Sequence, residues 1–117
     1  MSRRTAVALL SILALAATLG AIRVRAQQAQ QAQNDEIVRR AKSKVQPAYP
    51  DLARKMNISG TVKIEVVVAP NGNVKDARIV GGHPVLASAA LDAARKWRFE
   101  PASTEVTGVI DFKFEPR

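Results

Sequence analysis

The amino-acid sequence predicts an α+β domain in which two helices pack on one face of a three-stranded antiparallel sheet. Two segments alternate apolar and polar residues, as half-buried strands do, and another repeats apolar residues every three or four positions, as an amphipathic helix does. Turn residues separate these segments. After residue 45 the expected order is helix, strand, strand, helix, strand.

Residues 1–26 have the pattern of an export signal. A basic start precedes an apolar run at residues 6–22, and the small residue Ala26 suits signal-peptidase cleavage before Gln27. We therefore expect a periplasmic protein. The apolar run is at the short edge of what crosses a bilayer, so the alternative is that residues 6–22 stay as an inner-membrane anchor.

Residues 27–45 are expected to be a glutamine-rich linker or a helical lead-in. The opening stretch, QQAQQAQN, is low in complexity and has no apolar face. A helix that begins there could continue to Lys44. Residues 46–117 are then the folded domain.

A proline-rich segment, Gln46-Pro47-Ala48-Tyr49-Pro50, opens the domain. Each proline fixes its own backbone angle and disfavours helix in the residue before it, which predicts an extended segment. Pro50 can start a short helix at its first position. Leu52, Ala53 and Met56 are expected to face the core, and Asn57 to end the helix in a left-handed conformation.

Two strands joined by a tight turn are expected next. Alternation at residues 61–68 predicts a strand, and residues 70–72 read Pro-Asn-Gly, a turn sequence. The partner strand, residues 73–80, is less regular, with Ala77 and Ile79 facing the core. The core-facing residues of the first strand are Val62, Ile64, Val66 and Val68.

The second helix and the last strand complete the domain. Pro84 can start a helix that runs to Lys96, and its many alanines would let it lie close to a sheet. Its expected apolar face is Leu86, Ala89, Ala90, Ala93 and Trp97. The final strand is predicted by alternating core positions at Gly108, Ile110, Phe112 and Phe114.

Composition excludes several function classes. The chain has 117 residues and no cysteine, so disulfide scaffolds, thiol nucleophiles and cysteine zinc sites are excluded. Its single histidine, His83, lies between Gly82 and Pro84 and makes neither a triad nor a multi-histidine metal site. The aspartates show no metal-ligand spacing. We expect no enzymatic activity, no metal and no cofactor.

The formal charge of +8 does not indicate a nucleic-acid partner. Four of the 18 lysines and arginines precede Gln27 and no acid does, which leaves an excess of only +4 in the rest of the chain. Nucleic-acid readers cluster basic residues on one face with stacking aromatics, a pattern that is absent from this sequence.

An open sheet edge beside the proline-rich segment suggests a binding function. Three strands leave two edges, whose unpaired N–H and C=O groups recruit another strand. A proline-locked strip beside such an edge forms a wall for an incoming extended peptide. The alternative is that the strip is only a packed connector, with Tyr49 covering the edge of the core.

Several short segments occur in a characteristic order and spacing. They are Gln46-Pro47-Ala48-Tyr49-Pro50, Leu52-Ala53-Arg54, Ile58-Ser59-Gly60-Thr61-Val62, Pro70-Asn71-Gly72-Asn73-Val74, Ala89-Ala90-Leu91, Lys96-Trp97-Arg98-Phe99-Glu100-Pro101 and Gly108-Val109-Ile110, which leads to Phe112. Together they resemble the TonB carboxy-terminal domain family over residues 46–114.

The resemblance implies the fold inferred above and a function. Domains of this family bind the periplasmic TonB-box peptide of outer-membrane receptors by strand addition and transmit force derived from the inner-membrane proton gradient. By position, the proline-rich segment lies beside the peptide and residues 106–114 pair with it. The implied peptide-binding residues are Gln46, Pro47, Tyr49, Val109, Asp111 and Lys113.

Energy-transducing members of the family also carry an anchored helix, whose serine and histidine are recognised by an ExbB–ExbD motor, and a long proline-rich spacer. The apolar run here has Ser11 but no histidine, and no such spacer follows it. We expect a receptor peptide as partner, and an ExbB/ExbD-type motor only if residues 6–22 remain in the membrane. The alternative is an envelope structural or adaptor protein of the same fold that homodimerises through its open edge.

Overall fold

The computed structural model describes residues 2–116, with side chains from residue 17 onward. Two compact units result, one ending at Ala32 and one beginning at Gln33, and helix α1 (Ser2–Arg39) runs through the boundary. The helices formed by the described residues include none that is long and apolar enough to cross a membrane. The predicted signal or anchor lies largely outside the residues whose side chains are described.

The second unit is built on a three-stranded antiparallel sheet. Strand β2 (Gly60–Val68) lies in the middle, between β3 (Val74–Gly81) and β5 (Val106–Phe114). Alternate residues of β2 and β5 face the core in register, with Val62 opposite Phe112 and Ile64 opposite Ile110. The predicted α+β fold is therefore confirmed.

Helix α3 (Pro84–Lys96) covers one face of this sheet, and the short helix α2 (Asp51–Lys55) packs against α3 and adds Ala53 to the same core. The chain enters α3 through His83, whose Nδ1 accepts a hydrogen bond from the Val85 N–H at 3.1 Å. His83 is thus a helix N-cap, a structural role that explains its place before a proline. The buried face of α3 is formed by Leu86, Ala87, Ala90, Ala93 and Ala94.

A two-stranded ribbon lies beside the sheet and was not predicted. It pairs β1 (Ala41–Ser43) with β4 (Arg98–Phe99) in antiparallel fashion. Helix α1 ends at Arg39, so a helical lead-in as far as Lys44 is wrong. The cause is non-local, because the Glu100 N–H donates to the Arg40 carbonyl at 2.9 Å and the chain leaves the helix to pair.

Three apolar residues expected in the core are instead exposed. Leu52 and Met56 are 55% and 60% exposed, since α2 is only five residues long and turns a single residue, Ala53, fully inward. Ile79 is 45% exposed because it lies on the edge strand β3 and has a sheet neighbour, Ile64, on one side only.

The predicted left-handed stop at Asn57 is present, with φ of 55°.

Candidate functional site

Strand β5 forms one edge of the sheet. Its inner side pairs with β2 over nine residue pairs, and no strand among the described residues pairs with its outer side. Alternate side chains of β5 are buried in the core, while Asp111 and Lys113 are exposed and Val109 is half-buried. Exposed charged side chains of this kind are common on edge strands, where they discourage unwanted pairing.

The hydrogen bond of Val109 shows which residues of β5 present their main chain outward. The Val109 N–H donates to Asn34 Oδ1 at 2.9 Å, away from β2. Because main-chain direction alternates along a strand, Asp111 and Lys113 direct their N–H and C=O groups to the same side. The main-chain groups of both residues therefore face the outer edge.

A groove of about 840 Å³ lies where β5 ends. One wall is the proline-rich segment at residues 46–49, and another is the end of the chain from Lys113 to Pro116. Arg54 of α2 and Asn57, which lies just beyond the end of that helix, complete the lining. The structure thus brings Gln46, Pro47, Tyr49 and Lys113 together at one groove, and it places Asp111 and Val109 progressively further along the same edge.

Tyr49 forms the boundary between this groove and the core. Its hydroxyl donates to the Ile58 carbonyl, and its ring meets Phe114 edge-on with centroids 5.8 Å apart. The Arg54 guanidinium carbon lies 5.6 Å from the Tyr49 centroid, a cation–π distance. Tyr49 therefore covers the core edge, as the connector interpretation expected, and lines the groove at the same time.

Trp97 fixes the start of the groove wall, a role that the sequence did not reveal. Its indole N–H donates to the Val45 carbonyl at 3.0 Å, while the ring packs edge-on against Phe112 with centroids 5.6 Å apart. The residue before Gln46 is thus held by a core side chain. This anchor gives the proline-rich segment a fixed position relative to β5.

The outer face of the sheet carries paired charges. Arg78 of β3 donates to Glu65 of β2 at 2.8 Å, and this hydrogen bond together with the carboxylate charge raises the pKa of Arg78. Lys63 of β2 lies opposite Asp111 in the ladder with β5. Cross-strand pairs of opposite charge stabilise a sheet modestly and keep this face polar.

The end of α1 lies against the beginning of β5, which sequence reasoning missed. Gln33 Nε2 donates to the Thr107 carbonyl at 2.5 Å, beside the contact of Asn34 with Val109. Ile37 is buried over Gly108, where an added Cβ would lie 2.4 Å from Ile37 Cδ1. Little in the sequence predicts this contact, because Ile37 follows a glutamine-rich run that has no apolar face.

Comparisons with known proteins agree on one family. The family model for the Gram-negative bacterial TonB protein C-terminal matches residues 45–116. Protein TonB of Klebsiella pneumoniae is 35% identical over 78 residues, which cover 63% of this chain and 32% of that protein. Protein TonB of Escherichia coli strain K12 is 33% identical over 78 residues, which cover 65% and 33%. The chain spans about a third of the length of these curated relatives.

A solved structure supports the fold. The chain is similar to the solution NMR structure of Pseudomonas aeruginosa TonB CTD, with a TM-score of 0.54 and 24% sequence identity. The similarity covers 64% of this chain and 83% of that one. At this identity the similarity establishes the architecture alone.

Proposed function

Because this chain belongs to the TonB C-terminal family, we propose that residues 46–117 bind the TonB-box peptide of an outer-membrane receptor. The peptide adds as a fourth strand to the outer edge of β5, next to β2 and β3. Binding serves energy-coupled transport across the outer membrane. The domain acts by binding and not by catalysis, as the family does.

The observation that carries this proposal is the outward main chain of Asp111 and Lys113 next to the groove. Each residue offers one N–H and one C=O group, so an added strand can form up to four main-chain hydrogen bonds with them. A typical hydrogen bond contributes about 0.5–1.5 kcal/mol net. Such bonds supply affinity with little dependence on peptide sequence, and the groove supplies contacts for side chains.

The proline-rich wall favours this mode because it cannot close the edge itself. Pro47 has no N–H group to donate, so the strip, which belongs to neither a helix nor a strand, is a poor partner for β5. Trp97 and Tyr49 hold the strip beside the strand through their hydrogen bonds to main-chain carbonyls. The edge stays open, and Gln46 and Pro47 contact the peptide from the side.

We further propose that residues 1–26 are an export signal cleaved before Gln27, which gives a free periplasmic binding protein. If residues 6–22 are retained as an inner-membrane anchor, an ExbB/ExbD-type motor is a second partner. Intact mass measurement of the protein purified from its native envelope distinguishes the two forms. Cleavage leaves a chain that begins at Gln27.

Peptide titration tests the binding proposal. Residues 27–117, labelled with ¹⁵N, are titrated with a TonB-box-like peptide while backbone amide shifts are recorded. Shifts grouped at residues 46–49 and 106–114 are expected. The absence of shifts at millimolar peptide, with the domain folded and monomeric, would reject the proposal, and self-association that abolishes peptide binding would favour the structural homodimer.

A further inference from the structure

The outer edge of β5 is divided into two parts that differ in what they offer a partner. Toward the beginning of the strand, Gln33 already holds the outward carbonyl of Thr107, and Asn34 holds the outward N–H of Val109. Toward its end, the outward groups of Asp111 and Lys113 have no strand partner among the described residues. An incoming strand therefore meets an occupied segment and an open one.

The two amide side chains imitate the edge of a neighbouring strand. Gln33 presents a donor to a carbonyl and Asn34 presents an acceptor to an N–H, which are the two contacts that a paired strand would make at these positions. Both residues lie on the last turns of α1, where consecutive positions are held in a fixed relation. The pair thus satisfies two polar groups that an edge otherwise leaves to water or to a partner.

Ile37 fastens this part of α1 to the strand. Its side chain is 3% exposed and lies over Gly108, the residue between the two that the amides contact. Because Gly108 has no side chain, the helix can approach the strand closely at this point. An apolar contact and two polar contacts therefore meet on three consecutive residues of β5.

We propose that Gln33 and Asn34 form a polar stop that limits the length of an added peptide strand and sets its register. The inference rests on the proposed function. The outward groups left open run from the Val109 carbonyl to Lys113, about 14 Å at roughly 3.4 Å per residue. A bound peptide pairs over about four residues at this open end, beside Pro47, and does not continue to Thr107.

Hydrogen exchange on the free protein tests whether the stop is formed. Asn34→Ala removes the acceptor from the Val109 N–H, whereas Asn34→Asp keeps an acceptor at the same place. We expect the Val109 amide to exchange about fivefold to tenfold faster in Asn34→Ala, as befits the loss of one hydrogen bond, and near the wild-type rate in Asn34→Asp. Gln28→Ala is the control for helix content, since Gln28 is an exposed residue of the same helix.

Peptide binding tests the register. In the wild-type protein a TonB-box-like peptide of five residues and a longer one of nine should bind with similar affinity, with protection gained at Asp111 and Lys113. In the variant Gln33→Ala with Asn34→Ala, the longer peptide should bind about threefold to tenfold more tightly than the short one, with protection extended to Val109.

The outcomes separate the stop from the function that it serves. Equal Val109 exchange in wild type and Asn34→Ala would overturn the stop whether or not peptide binds. Protection of Thr107 and Val109 by the long peptide in the wild-type protein would overturn it as well, because the peptide would then displace the amides. Failure of every variant to bind peptide, with Val109 exchange as expected, would reject the proposed function and the register role while leaving the contact between Asn34 and Val109 established.

Discussion

Replacing Asp111 by proline tests whether the affinity for peptide comes from the main chain of β5 or from its side chains. The Asp111 N–H points away from β2, so proline at this position removes no hydrogen bond of the sheet. Edge strands tolerate proline when its nitrogen faces outward, and the preceding residue, Ile110, is already extended. The variant is therefore expected to fold, with a loss of unfolding free energy that urea denaturation measures.

The expected loss of affinity follows from the bond that disappears. Removal of the main-chain donor leaves a peptide carbonyl without a partner at the edge, which costs about 1–2 kcal/mol of binding free energy. This corresponds to a dissociation constant roughly 5- to 30-fold weaker. Isothermal titration calorimetry with the TonB-box-like peptide measures the change.

Asp111→Ala is the matched control. It removes the same carboxylate and keeps the N–H group, so we expect its affinity to stay within about threefold of wild type if main-chain pairing dominates. Equal binding by the folded Asp111→Pro and Asp111→Ala proteins would refute strand addition at this position. A large loss in both variants would instead assign the affinity to the carboxylate.

Three further outcomes follow from the same contacts. Tyr49→Phe leaves the Ile58 carbonyl without its donor and should lower the free energy of unfolding by about 1 kcal/mol; a change below about 0.3 kcal/mol in urea denaturation would contradict the role given to the hydroxyl. Gly72→Ala should lower the free energy of unfolding by more than about 2 kcal/mol, because φ is 92° and the new Cβ would lie 2.0 Å from the Phe99 carbonyl oxygen. A variant as stable as wild type in thermal denaturation would contradict this expectation. Raising NaCl from 50 to 500 mM should weaken binding of an uncharged peptide less than about threefold, and a tenfold effect in calorimetry would point to charge in place of main-chain pairing.

The parts of the fold that were predictable from the sequence are those that depend on residues close together along the chain. Alternation in β2 and β5 follows from burial of one face of a sheet, and each pattern is complete within nine residues. The turn before β3 and the left-handed Asn57 are likewise local features. These elements appear where they were expected.

The parts that it missed depend on contacts between distant segments. The ribbon of β1 with β4 joins residues more than fifty positions apart, and Gln33 meets Thr107 across 74 positions. A tract of glutamine and alanine has no apolar pattern from which such a contact could be predicted. The six site residues implied by the family resemblance remain a prediction, with four of them at one groove.

The difference between the two edges of the sheet explains why β5, and not β3, should receive a partner. The ladder between β2 and β5 runs through nine pairs without a break, whereas the ladder between β2 and β3 shifts register at both of its ends. Irregularities of this kind twist a strand and blunt its edge, so β3 is a poor template for pairing. A homodimer that closed an open edge would then also use β5, and it would compete with peptide for Asp111 and Lys113. Peptide should therefore dissociate any such dimer in proportion to its occupancy of the edge, which sedimentation at increasing peptide concentration can measure; a dimer that persists at saturating peptide would have to use another surface.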